Sequence, residues 1–141
     1  MTTKVMLSLT GRQTYLDQDP DTIELVTEGT MSFRDGGWDI SYEESELTGL
    51  EGVTTTFRVE PGKVTLTRKG KLNSQMVFQM GTSHESLYQM QFGALMIRVQ
   101  ATQVLFDLMP EGGFIDLVYN IEIENSAAGV VDYHMDIRSI H

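Results

Sequence analysis

Four side chains in this sequence are of types that hold or process a small organic acid: Tyr42, Glu44, Arg68 and Tyr88. Their phase is what brings them together. Tyr42, Glu44 and Glu46 continue the alternation begun by Trp38 and Ile40, and Arg68 continues that of Val64 and Leu66, so all of them fall on rows that are otherwise apolar. A guanidinium meets a carboxylate through two parallel N–H donors, and tyrosine hydroxyls donate while their rings extend an apolar wall. A buried charge is costly unless paired, so an inward Glu44 beside Arg68 would be either a structural ion pair or the polar anchor of a ligand. On an enzyme reading, Glu44 works as a general acid or base among the same tyrosines and arginine. The plainer reading, preferred on sequence alone, is that these strand ends emerge into water.

The neighbouring rows are rich in methionine and aromatic residues. Met90, Phe92 and Met135 complete the candidate ligand-binding set with the four residues above, and Met31, Phe33, Trp38, Met76, Phe78 and Met80 belong to similar rows. Flexible thioethers either adapt to varied apolar ligands or fill irregular gaps in a solid core, and the second is the commoner use. Other chemistry finds little support. Asp17, Asp19 and Asp21, with Glu28 twelfth in the run, open like a calcium loop, but Thr22 stands where that loop needs glycine and Pro20 stiffens it. A solvated acidic turn is the better account. His84, His134 and His141 show no zinc spacing, with His84 beside a turn and His134 on a wet face. No serine sits in a nucleophile elbow, no glycine-rich phosphate loop opens a helix, and neither metal nor cofactor is expected.

The elements that must position these groups are strands. From Phe114 to Glu124 the residues Ile115, Leu117, Tyr119, Ile121 and Ile123 alternate with Asp116, Val118, Asn120 and Glu122, and Val131, Tyr133, Met135 and Ile137 repeat the pattern. These two segments predict a hairpin across Asn125 to Gly129. Val5, Leu7 and Leu9 mark a first strand, and Ile23, Leu25, Met31 and Phe33 a second, with a bulge expected near Thr27 to Gly29. Asp35-Gly36-Gly37, Pro61-Gly62 and Pro110-Glu111-Gly112-Gly113 read as tight turns. Nine or ten strands follow, with no convincing helix. So many strands in one open sheet would expose long edges, and closure into an antiparallel up-and-down barrel of about eight to ten strands removes them. A two-sheet sandwich is the alternative. Residues 1–141 are read as a single domain.

Twenty acidic against ten basic side chains give a formal charge of −10, which disfavours nucleic-acid and anionic membrane partners. With no cysteine there is no disulfide, thiolate metal site or cysteine nucleophile. The segment beginning Met1-Thr2-Thr3-Lys4 lacks the apolar core of a signal peptide, and no apolar run nears the roughly 20 residues of a membrane span, so a cytoplasmic location is expected. A homodimer is compatible with the sequence, although no residue pattern signals one.

Larger stretches carry a family resemblance. Ile40-Ser41-Tyr42-Glu43-Glu44-Ser45-Glu46-Leu47 with Gly49 and Val53-Thr54-Thr55-Thr56-Phe57-Arg58-Val59, then Val64 to Gly70, Gln75 to Phe78, Tyr88 to Phe92 and the acidic last hairpin, resemble the YwiB-like bacterial family over nearly the whole chain. The resemblance implies a calycin-type, lipocalin-like barrel and carries no activity with it. Gly36-Gly37-Trp38 is similar to the glycine-any-tryptophan opening of lipocalins, but it begins the third strand rather than the first. Some calycin-type enzymes acting on small phenolic acids use tyrosines, an arginine and a glutamate inside the barrel, the same three residue types as the four side chains noted above. Binding of a small apolar or carboxylated molecule in the interior is therefore the function expected, with an enzyme on a small organic acid and a solid barrel serving as a protein-interaction module as its two alternatives.

Overall fold

Alternation of apolar and polar residues produces ten strands, which the computed structural model describes over residues 2–14, 21–45, 50–90 and 93–140. They are β1 (Thr2–Thr14), β2 (Asp21–Arg34), β3 (Gly37–Glu43), β4 (Val53–Glu60) and β5 (Lys63–Gly70), then β6 (Ser74–Phe78), β7 (Ser83–Met90), β8 (Gly93–Met109), β9 (Gly112–Ile123) and β10 (Ser126–Ser139). Among the described residues there is no helix, and so none long and apolar enough to cross a membrane.

Every strand pairs antiparallel with its sequence neighbours except across β6 and β7, and β1 pairs with β10 from Val5 opposite Ser139 to Thr14 opposite Val130, which wraps the sheet onto itself. The seam falls between β6 and β7. There the described pairings are isolated bridges, Asn73 with Gln89 through N–H···O bonds of 2.9 and 2.8 Å, and Gln79 with Thr82. The result is a nearly closed ten-stranded barrel rather than a sandwich.

Turn chemistry matches turn geometry. Asp35 and Gly36, at φ 50° and 76°, both take the left-handed conformation of a tight hairpin, and Gly62 does so after Pro61 at 75°. The last hairpin is tighter than expected. Glu124 and Asn125, at φ 51° and 68°, make the turn, and Gly129 lies inside β10 at a bulge next to Ala127. The bulge expected at Thr27 to Gly29 is absent, because the β1–β2 register runs unbroken from Thr2 opposite Ser32 to Gln13 opposite Asp21. Gly29 answers a packing need instead: a Cβ there would lie 2.5 Å from Ser41 O and 2.9 Å from Leu7 Cδ1. A second bulge falls in β8 between Ala101 and Gln103.

Inward residues fill one end of the barrel. Met31, Val59, Val64, Phe78, Ile115 and Met135 are buried where β2, β4, β6 and β10 finish, with Phe57 and Ile40 completing the packing toward the middle. Phe57 is fully buried and stacks on Tyr133 at 5.6 Å between ring centres. Phe57→Ala is therefore expected to destabilise the fold by about 3–5 kcal/mol. In urea unfolding it should appear as a lowered midpoint with an unchanged slope.

Candidate functional site

At the opposite end, where β1, β3, β5, β7 and β9 finish, the interior is hollow. A cavity of about 460 Å³ opens there. Its polar groups come from one row across four strands, in which Tyr42 on β3 pairs with Thr55 on β4, Thr55 with Arg68 on β5, and Arg68 with Ser74 beginning β6. The alternation that buries Val64 and Leu66 carries Arg68 to the same side, and Glu44 follows Tyr42 two residues on. Both sit inside the wall. The Glu44 side chain is 1% exposed and that of Arg68 20%. The expectation that these strand ends emerge into water is overturned, because the surrounding strands extend past them and enclose them.

Glu44 is held by neutral donors. Thr55 Oγ1 donates to Glu44 Oε2 at 2.5 Å, while Tyr133 donates to Tyr42, which in turn donates to Glu44. Arg68 Nε lies 4.0 Å from Glu44 Oε2, an ion-pair separation too long for a hydrogen bond. That nitrogen is buried and has no hydrogen-bond partner among the described residues, and neither has Ser74 Oγ. A guanidinium donor of this kind is a ready site for an incoming acceptor.

Two more tyrosines complete the floor. Tyr119 packs on Phe78 with ring centres 4.6 Å apart, and Tyr133 lies over Phe57. Burial is the main force pushing the hydroxyls of Tyr42 and Tyr119 up to about 12, with the Glu44 charge adding to the first and Arg68 opposing both. Tyr133 is raised well above 10, by burial and then by the neighbouring Tyr42. All three keep their protons at neutral pH and remain donors. Above the floor the walls turn aliphatic with Leu25, Leu95, Ile97, Ile121, Ile123 and Val131, and Ile23 stands at the mouth. Glu124 braces this rim, its carboxylate accepting from Met96 N at 2.8 Å while its own N–H donates to Met96 O at 2.8 Å.

Of the residues expected from sequence, Tyr42, Glu44, Arg68 and Tyr88 all line the cavity. Met135 does not: it is fully buried in the packed half. Phe92, Glu46, His141 and the acidic stretch at 15–20 lie outside the described residues, as does the side chain of Met90. Tyr119 and Tyr133 were not singled out, although their polar tips on apolar rows were the available signal. His84 Nε2 sits 3.2 Å from Gln79 Oε1. His134 lies between Asp116 and Asp136 on the outer surface, and its hydrogen bond to Asp116 raises its pKa. Among the described residues no three such side chains form a group able to hold a metal.

Fold and site together define a meander β-barrel, packed at one end and carrying a polar-floored cavity at the other. A family model described as a domain of unknown function, DUF1934, matches residues 7–137, and the chain belongs to that family. It is 28% identical over 107 residues to the uncharacterised β-barrel protein YwiB of Bacillus subtilis (strain 168), covering 76% of this chain and 74% of that one. The crystal structure of ywiB protein from Bacillus subtilis superposes with a TM-score of 0.87 at 22% identity, over 99% of this chain and 94% of the other, and shows the same fold.

The buried hydroxyls give a pH signature. Unfolded tyrosines ionise near 10, and Tyr42 and Tyr119 hold their protons to about 12 in the folded barrel. Above pH 10 the unfolded chain therefore binds fewer protons than the native one, and stability falls as pH rises through this window. A series of melting temperatures across it should decline, with tyrosinate absorbance at these positions appearing only on unfolding; full ionisation while the barrel stays folded would refute the buried-hydroxyl account.

Proposed function

We propose that this protein binds a small, largely apolar molecule bearing a carboxylate in the hollow end of its barrel, with Arg68 as anchor. The observation that carries this reading is the buried Arg68 Nε, which has no hydrogen-bond partner among the described residues and belongs to a chamber whose walls are largely aliphatic and aromatic. A cavity of about 460 Å³ suits a small-molecule ligand. Tyr119, whose hydroxyl keeps its proton, favours the same chemistry, since a donor on the floor suits a ligand that brings an acceptor. Kinship with lipocalin-like binding barrels is part of this proposal and rests on shape, a meander closed on itself with a pocket at one end. The cytoplasmic setting expected from the sequence belongs to it as well.

Native mass spectrometry of protein purified from cells should show a co-purifying low-mass acid. Arg68→Met, which keeps length and apolar stem while removing the guanidinium, should lose that adduct or weaken it about tenfold or more. An adduct retained unchanged in the variant would remove Arg68 from the site; a clean apo mass in the parent protein, with no binding of added acids, would defeat the reading.

A further inference from the structure

We infer that the ligand is a slender amphipathic monocarboxylic acid, inserted carboxyl end first, whose head group shares a single proton with Glu44 across Arg68. The inference deepens the binding reading above and rests on it.

Orientation follows from the order of groups with depth. Tyr42, Glu44 and Tyr119 are buried at the floor, whereas Leu25, Leu95, Ile121 and Ile123 are half-buried higher up and Ile23 is 61% exposed at the mouth. A head group finds buried donors at the bottom, the rim donor Arg12 being exposed to water, and an apolar chain finds wall only above that floor. The reverse orientation would set an apolar chain against the polar floor and leave Arg68 Nε without an acceptor.

Charge decides the proton. Glu44 is faced by Arg68 from β5, Thr55 from β4 and Tyr42 beside it, with Tyr133 of β10 behind Tyr42. Tyr119 of β9 and Tyr88 of β7 line the same chamber, and Arg12 of β1 stands exposed at its rim. Among the described residues the floor thus sets one half-buried cation, Arg68, against one buried carboxylate, Glu44. An arriving carboxylate adds a second anion within reach of the same guanidinium. Two carboxylates a few ångströms apart in a water-poor site do not both stay ionised. One proton therefore enters from solvent and forms an O–H bond on one of the two carboxyls, while Arg68 keeps its charge and gives the buried Nε–H to the ligand. Because binding takes up a proton, affinity falls as pH rises.

Isothermal titration of the full chain with decanoate, in two buffers of different ionisation enthalpy, reads the proton count. Uptake approaching one proton per decanoate is expected, with affinity dropping about tenfold per pH unit on the alkaline side. Glu44→Gln keeps an acceptor for Thr55 and removes the competing charge, so it should abolish the uptake and tighten decanoate binding about tenfold. A purely structural Glu44 would instead give weaker binding on substitution. Decanoate binding without proton uptake overturns the shared proton and leaves the cavity reading standing; decan-1-ol binding as tightly as decanoate overturns the acid class. Failure of both probes to bind overturns the cavity reading itself. Should the Glu44→Gln chain fail to fold, the proton count in the parent protein decides alone.

Discussion

The ladder between β1 and β10 is the constraint on which everything else rests. Hydrogen bonding from Val5–Ser139 to Thr14–Val130 joins the first strand to the last and makes one surface of the sheet an interior. Once that happens, parity along each strand decides between water and enclosure, and a charged residue of inward parity has no exposed alternative short of the barrel's end. Ten strands also enclose more room than about eight, whose interior side chains just fill. Here large residues such as Phe57, Phe78 and Met135 occupy one half, leaving the other to the cavity.

A packed floor under a polar row is an arrangement with a thermodynamic penalty. Tyr42, Thr55, Glu44 and Arg68 give up hydration, and apolar residues of similar volume would commonly serve stability as well or better. Thr55 and the chain from Tyr133 through Tyr42 both donate to Glu44, yet Arg68 Nε stays at ion-pair distance from it. The carboxylate has donors, whereas the buried Nε of the guanidinium has no acceptor among the described residues. That asymmetry distinguishes the row from a structural ion pair closed on itself, and it is the physical basis for treating Arg68 as a group set up to meet something else.

Much of this was legible in the residues. Period two in segments such as Phe114 to Glu124 specified strands, sequential turns specified a meander, and the phase of Glu44 and Arg68 identified the pair that faces the cavity. The preference for solvent exposure at those positions failed because strand ends are judged along one strand, whereas enclosure depends on how far the strands around them continue. Tyr119 and Tyr133 escaped for a related reason: each looks like one more member of an apolar row until the register brings Tyr133 to Tyr42 and both rings over Phe57 and Phe78. Gly29 was misread as a bulge since its close approach to Ser41 involves a neighbouring strand and leaves no trace in local pattern.

The incomplete seam has a mechanical consequence. Between β6 and β7 the described pairings are single bridges at either end, Asn73 with Gln89 and Gln79 with Thr82, while the stretch between them has no cross-strand ladder. Parting the wall anywhere else breaks a run of main-chain hydrogen bonds; parting it here breaks very few. The circumference thus has one compliant link. It runs past Met76 and Tyr88, which line the chamber from either side of it, so the weakest line of main-chain bonding lies along the chamber wall.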